Sequence, residues 1–374
     1  MSSSPVSPSA PAQPYGGPPL RTVHVLGGGG GADSSAHVRS LATGLAARGI
    51  GVTVCAPVEA EAAYDFTGAG ARFTPDAASA LRAACAGADV VHAHGVRAGM
   101  RAALALSGRR VPLVVSWHGE GPAATGARGR LSRMLERRVA RAAAVVLGAS
   151  SDQVDLARLR GARDARLAPV AVPVADPGDT PDPDKTRAEL GAVERPLLIA
   201  VGSLAPHRGY SVLLDAARQW RTLDPPPLLV VAGEGPLRAE LARRIEDEAL
   251  PVRLLGRRRD AAQLLSAADL AVLPSRWEDR APLAQEALRT GVPLVATAVG
   301  GVPELVGEGA VLVPYGDAPA LAAAVTGLLA DPARRAALAE AGRARAATWP
   351  SEDDTVAQVL SVYDELMERA DPRR

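Results

Sequence analysis

The stretch Arg21–Ala56 reads RTVHVLGGGGGADSSAHVRSLATGLAARGIGVTVCA, and its pattern decides the fold class. Thr22–Leu26 is a short apolar run, Ser35–Arg48 has helical spacing and is closed by Gly49, and Val52–Ala56 is apolar again. Strand, helix and strand over so short a span form a βαβ unit, and such units build parallel sheets. The rhythm continues through Val90–His94, Leu113–Ser116, a basic helix around Arg130–Ala143 and a strand at Val145–Leu147. A doubly wound, Rossmann-like α/β domain over 21–174 is expected.

Downstream, Asp176–Asp184 (DPGDTPDPD) holds four Asp and three Pro, a composition that suits a hydrated linker over 175–187. A second βα series follows: Leu197–Val201, Ser211–Trp220, Leu228–Ala232, Leu237–Glu248, Val252–Leu255, Ala261–Ala267, Leu270–Leu273, a helix from Pro282, Val292–Ala296 and Val311–Val313. It predicts a second Rossmann-like domain over 188–345, with a helix over 346–374 returning to the first domain. Two such domains would turn their strand C-terminal ends to a shared cleft. Upstream, residues 2–19 contain five Ser and six Pro without an apolar core, so 1–20 is expected to be a disordered tail, not a signal peptide.

A chain of 374 residues that is 47% hydrophobic can bury the cores of two domains. Its 42 basic and 41 acidic side chains leave a net charge of +1, which argues against nucleic acid as the main partner. Lys185 is the only lysine, so the positive charge is nearly all arginine. Cys55 and Cys85 are too few and too isolated for a disulfide framework or a metal site. No apolar run approaches the ~18 residues of a membrane span, so a cytoplasmic protein is expected, with any membrane contact peripheral.

Gly27–Gly31, directly after the first strand, with Asp33 and Ser34 as possible helix caps, would bring backbone N–H groups to an anion. A dinucleotide site would want an acidic residue at the end of the second strand, where this chain reads Val54-Cys55-Ala56-Pro57. Two strands end in histidine motifs, His92-Ala93-His94-Gly95 and Ser116-Trp117-His118-Gly119. His92 lies inside its strand and is expected in the core, whereas His94 and His118 are placed to face the cleft.

The segment Pro274–Ala287 (PSRWEDRAPLAQEA) is more specific. Pro282 suits the first turn of a helix, which leaves the N–H groups of Leu283 and Ala284 free to seat a phosphate. Glu278 precedes that helix and Glu286 lies just over a turn into it, so the two carboxylates flank the phosphate position. An isolated carboxylate is more often a solvated surface charge, and the surrounding pattern is what argues otherwise.

The Glu-x7-Glu pair, followed by Gly291-Val292-Pro293 and Gly300-Gly301-Val302-Pro303-Glu304, resembles family 4 glycosyltransferases. The resemblance extends over 21–365 through the glycine loop, Ala88–His94, the His118 strand, Val201–Gly209, Gly233–Pro236 and the Trp349 helix. It implies a GT-B fold with an N-terminal acceptor domain and a C-terminal donor domain. It also implies a UDP- or GDP-sugar donor and retention of anomeric configuration without metal or other cofactor.

By the same resemblance Glu286 holds the ribose hydroxyls, Glu278 the donor sugar, His118 a sugar hydroxyl near the reaction centre, and Gly28 and Gly29 the diphosphate side. Arg208 stands where the family has a phosphate-binding lysine, and Glu304 is counted with the donor-binding residues. Two positions depart from the pattern: Ser203 replaces an arginine that contacts diphosphate, and Asp279-Arg280-Ala281 replaces a glycine and an aromatic.

Competing expectations are a nucleotide-sugar epimerase of the same fold, a glycosidase, and a degenerate transferase that binds without catalysis. The acceptor, a small molecule, a glycan or a lipid-linked compound, has no motif. The segment Arg128–Arg141 sets six arginines around Leu131, Leu135 and Val139, a pattern that suits contact with anionic lipid or a plain solvated helix face.

Overall fold

The computed structural model describes residues 19–27, 32–117, 126–171, 182–258, 260–278 and 280–370. Gly28, Gly29, His118, Asp279, nearly all of the tail and much of the expected linker lie outside them.

The first elements are β1 (Arg21–Leu26), α1 (Ala32–Ala47), β2 (Gly51–Ala56), α2 (Val58–Tyr64), β3 (Arg72–Pro75), α3 (Ala78–Ala86), β4 (Val90–His94), α4 (Val96–Ala105), β5 (Leu113–Trp117), α5 (Gly126–Ala142), β6 (Val145–Gly148), α6 (Ser151–Arg160) and β7 (Ala165–Leu167). Then come α7 (Pro183–Leu190), β8 (Leu197–Val201), α8 (Tyr210–Trp220), β9 (Leu228–Ala232), α9 (Arg238–Asp247), β10 (Val252–Gly256), α10 (Ala261–Ser266), β11 (Leu270–Leu273), α11 (Pro282–Thr290), β12 (Leu294–Thr297), α12 (Val302–Val306), β13 (Ala310–Val313), α13 (Ala318–Ala330), α14 (Pro332–Ala346) and α15 (Glu352–Ala370).

These strands form a seven-stranded sheet in the order β3-β2-β1-β4-β5-β6-β7 and a six-stranded sheet in the order β10-β9-β8-β11-β12-β13. The strand pairings within them are parallel. By compactness the chain divides into one unit that runs to Leu113 and resumes at Val359, and another over Val114–Gln358.

The strands β8 and β9 of the second sheet show why they are apolar throughout. Leu197, Ile199, Leu228 and Val230 enter one hydrophobic cluster, while Leu198, Ala200, Leu229 and Val231 enter another. Successive side chains point to opposite faces, and helices cover both faces, so neither of these two strands has a position left for a polar residue.

In each sheet the order reverses once, between β1 and β4 and between β8 and β11. Loops leaving two such strands diverge at their C-terminal ends, which is where open parallel sheets form a ligand crevice.

Two local expectations are corrected. Helix α1 starts at Ala32, so Ser34 lies within its first turn and is buried instead of capping it. Helix α7 starts at Pro183, inside the segment read as linker. There the Asp182 side chain accepts from the N–H groups of Asp184 and Lys185, with Pro183 at the first helical position. Asp182 and Pro183, which read as hydrated spacer, are helix-start signals.

Candidate functional site

The loops after β8 and β11 carry most of the residues the sequence singled out. After β8 the chain passes exposed Ser203, makes a short 3-10 turn over Pro206–Arg208 and enters α8 through Gly209. Gly209 has φ 70°, and a Cβ there would lie 1.9 Å from the Pro274 carbonyl oxygen, so only glycine lets the β8 and β11 loops approach this closely. The Arg276 N–H donates to the His207 carbonyl (2.8 Å) and ties the two loops together.

This approach brings Arg208 to Glu278. The Arg208 Nη1 bonds the Glu278 Oε1, and the Ser275 hydroxyl donates to the same oxygen at 2.7 Å. The Glu278 side chain is only 5% exposed, against 23% for Arg208, so the carboxylate depends on these two donors for its stability in the interior. Ser275 is itself anchored, because its carbonyl accepts from the Thr297 hydroxyl (2.5 Å) at the end of β12. Behind Glu278 lies Gly300, at φ 53°; a Cβ there would fall 2.0 Å from the Glu278 carbonyl oxygen, which also accepts from the Gly301 N–H (3.2 Å).

One donor in this cluster is unspent. The Arg208 Nε is buried and has no hydrogen-bond partner among the described residues. A buried guanidinium N–H without an acceptor is costly, and an incoming oxyanion would satisfy it. Burial and the neighbouring Arg208 charge hold the His207 imidazole below its usual range, and burial raises the Tyr210 phenol, whose hydroxyl donates to the Gly202 carbonyl at 3.2 Å. Both therefore stay neutral beside the ion pair at neutral pH.

Helix α11 begins just beyond, with Pro282 in its first turn and Ala281 in the left-handed region at φ 41°. Its N-cap residue, Ala281, has no side chain that could cap it, so among the described residues the Leu283 and Ala284 N–H groups of its first turn have no side-chain cap. Glu286 lies on the same helix, half-buried, with no side-chain partner among the described residues. Glu304 is placed differently: its carboxylate accepts from the backbone N–H (2.8 Å) and hydroxyl (3.1 Å) of Ser151 at the start of α6. A ligand would have to share those oxygens. Gly28, Gly29 and His118 lie outside the described residues.

The first sheet holds a cluster that the sequence concealed. His24 on β1 sits opposite His92 on β4, and His94 follows two residues along, so all three share one face. The His24 Nδ1 and His94 Nε2 are 3.1 Å apart, and the His92 Nδ1 meets the Tyr363 hydroxyl of α15 at 2.6 Å. His94, expected to face the cleft, is buried with His37 at its edge, because its strand is covered. Burial lowers the His24 pKa to about 4 and keeps the ring neutral. Ring nitrogens of His24, His92 and His94 lie within 4.8 Å of one another, close enough to hold a metal ion. No spacing in the sequence announced the set, since His24 stands alone in an apolar strand.

Ser275, Thr297 and Tyr210 also escaped the sequence. Ser275 stood inside the quoted segment, but a serine three residues before a glutamate signals nothing until the turn folds back.

Residues 182–345 match the family described as glycosyl transferases group 1, and residues 34–173 match the glycosyl transferase 4-like domain. A D-inositol 3-phosphate glycosyltransferase of Xylanimonas cellulosilytica is 32% identical over 315 residues, which covers 76% of this chain and 74% of the relative. An alpha-D-kanosaminyltransferase of Streptomyces kanamyceticus is 30% identical over 63% of this chain and 64% of its own length. A GDP-mannose-dependent phosphatidylinositol monomannoside mannosyltransferase of Mycolicibacterium smegmatis is 32% identical, with 52% of its length covered, so the chain spans about half to two-thirds of these last two relatives. HepE of Anabaena, solved with UDP-glucose, shares the fold with a TM-score of 0.78 at 20% identity, over 92% of this chain and 100% of that one.

Proposed function

The chain belongs to the glycosyl transferases group 1 family, and from that premise we propose that it transfers a hexose-type sugar from a UDP- or GDP-linked donor to an acceptor hydroxyl, with retention of configuration and without metal. The observation that carries the reading is the meeting of Arg208, with its unspent Nε, and Glu278 at the switch point of the second sheet, just ahead of the start of α11. In this proposal 188–345 is the donor domain and 21–174 the acceptor domain.

Breaking the anomeric C–O bond leaves negative charge on the departing diphosphate. The N–H groups of Leu283 and Ala284 and the guanidinium of Arg208 are fixed donors for that charge, and groups that need no reorganisation stabilise a transition state best. Glu278 then orients hydroxyls of the donor sugar, and Glu286 accepts from the ribose. A lipid-linked acceptor would bring the protein to a membrane surface, and peripheral contact with anionic lipid is part of the same proposal.

UDP or GDP is expected to raise the melting temperature, since a ligand of the folded state stabilises it by mass action. NAD is expected to have no effect, and the shift should survive a chelator. Stabilisation by NAD alone would overturn the donor assignment, and loss of turnover with chelator would overturn the metal-free one. Retention is read from the anomeric configuration of the product by NMR.

A further inference from the structure

We propose that the outward face of α5 is a docking surface for an anionic lipid membrane. This deepens the peripheral-membrane part of the proposed function and does not use the donor chemistry at Arg208 and Glu278.

Helix α5 buries Val139 and Ala140 against its own unit, while Leu131 (53%) and Met134 (59%) are among the most exposed large apolar side chains of the described residues. Leu131, Met134, Arg138 and Arg141 follow one another at intervals of three or four residues, so they share one face. Met134, Arg137, Arg138 and Arg141 border an open depression of about 460 Å³. The one carboxylate of the helix, Glu136, is taken up by the Arg160 Nε at 2.5 Å. Among the described residues Arg130, Arg133, Arg137, Arg138 and Arg141 have no carboxylate partner. The whole chain has a net charge of only +1, so this concentration is local.

Charge and exposure together select the partner. A guanidinium matches the oxygens of a phosphate diester, and several of them along one face match a surface of headgroups. Free phosphate or a nucleic acid would also meet the charge, but neither would bury Leu131 and Met134, and α5 offers no aromatic ring for a base to stack on. A bilayer interface takes both, with headgroup phosphates at the arginines and the acyl boundary at the two apolar side chains.

The test is co-sedimentation of the full chain with phosphatidylcholine vesicles and with vesicles of equal parts phosphatidylcholine and phosphatidylglycerol. Binding is expected to the mixed vesicles only, and raised salt should release it. Each arginine at an anionic surface is worth about fivefold in partition, so an Arg137→Gln, Arg138→Gln, Arg141→Gln triple variant should lose on the order of a hundredfold. A Leu131→Ser, Met134→Ser double variant should lose about tenfold, because its apolar contact is gone. Both variants should keep the thermal shift of the parent with UDP or GDP, which separates a failed surface from a failed donor site; circular dichroism confirms the fold if neither nucleotide binds. The proposal is overturned by equal binding to neutral vesicles, by no binding at low salt, by unchanged partition in both variants, or by binding of duplex RNA in place of vesicles.

Discussion

At the ends of β1 and β4 the buried polar cluster is built of imidazoles and a phenol, and beyond the ends of β8 and β11 it is an ion pair. His24, His92, His94 and Tyr363 bond one another, and burial keeps His24 and Tyr363 in their uncharged forms. Arg208 and Glu278 form an ion pair in which one guanidinium N–H has no acceptor among the described residues. Both clusters occupy the switch point of a parallel sheet, so topology alone does not tell them apart. The difference lies in charge: a neutral hydrogen-bonded cluster rigidifies its surroundings, whereas a buried guanidinium with a spare N–H is completed by an anion.

The sharpest way to break the comparison is Arg208→Ala. If Arg208 meets charge that develops on the leaving group, kcat/KM for sugar transfer should fall by about a hundredfold or more, the usual loss for one preorganised donor. Intact turnover would shift the role to Arg276 or Arg280 and return Arg208 to a structural ion pair.

The histidine cluster predicts an acid limb of stability. The His24 pKa of about 4 in the folded state is below the ordinary 6.5, so the unfolded chain binds a proton at this residue across that interval which the native chain refuses. The stabilisation is complete above about pH 6.5 and falls by roughly 3 kcal/mol as pH drops to 4. Urea unfolding across this range should show the slope in the parent and a flatter one in His24→Gln. Equal slopes would mean that His24 is already protonated or exposed.

Smaller effects sharpen the charged side. Ser275→Ala removes one of two donors to the Glu278 Oε1 and should lower kcat about tenfold, with little change in affinity for UDP or GDP alone. Ser275→Thr, which keeps the hydroxyl, should restore most of it. Equal loss in both variants would assign Ser275 to packing. The smallest change is expected from Ser203→Arg. Ser203 is exposed on the β8 loop, so the new guanidinium can be accommodated and should tighten donor binding a few-fold without faster turnover. Weaker donor binding, measured by calorimetry, would show that the diphosphate does not pass this position.

Much of this was legible in the chain itself. Continuous apolar runs such as Leu197–Val201 and Leu228–Ala232 are too short for a buried helix and read as strands buried on two faces, and their alternation with helices announces parallel sheets. Pro282 at the start of α11 was readable because the preference for proline in a first helical turn is local. Short edge strands were not: β3 (Arg72–Pro75) is half-exposed and ends in proline, so no period marks it.

What the sequence determined by itself was the succession of strands and helices, the family likeness and the roster of polar residues at strand ends. Those follow from periodicity and from neighbours within a turn or two, which act over distances that sequence spacing reports. Only the tertiary structure decided which of those residues meet. Arg208 and Glu278 are 70 positions apart, as are His24 and His94, and His92 finds Tyr363 across 271. Such pairings depend on strand register and on glycines at points of close approach, and a polar side chain becomes a neutral core group or a charged ligand-binding one only once burial and partners are set around it.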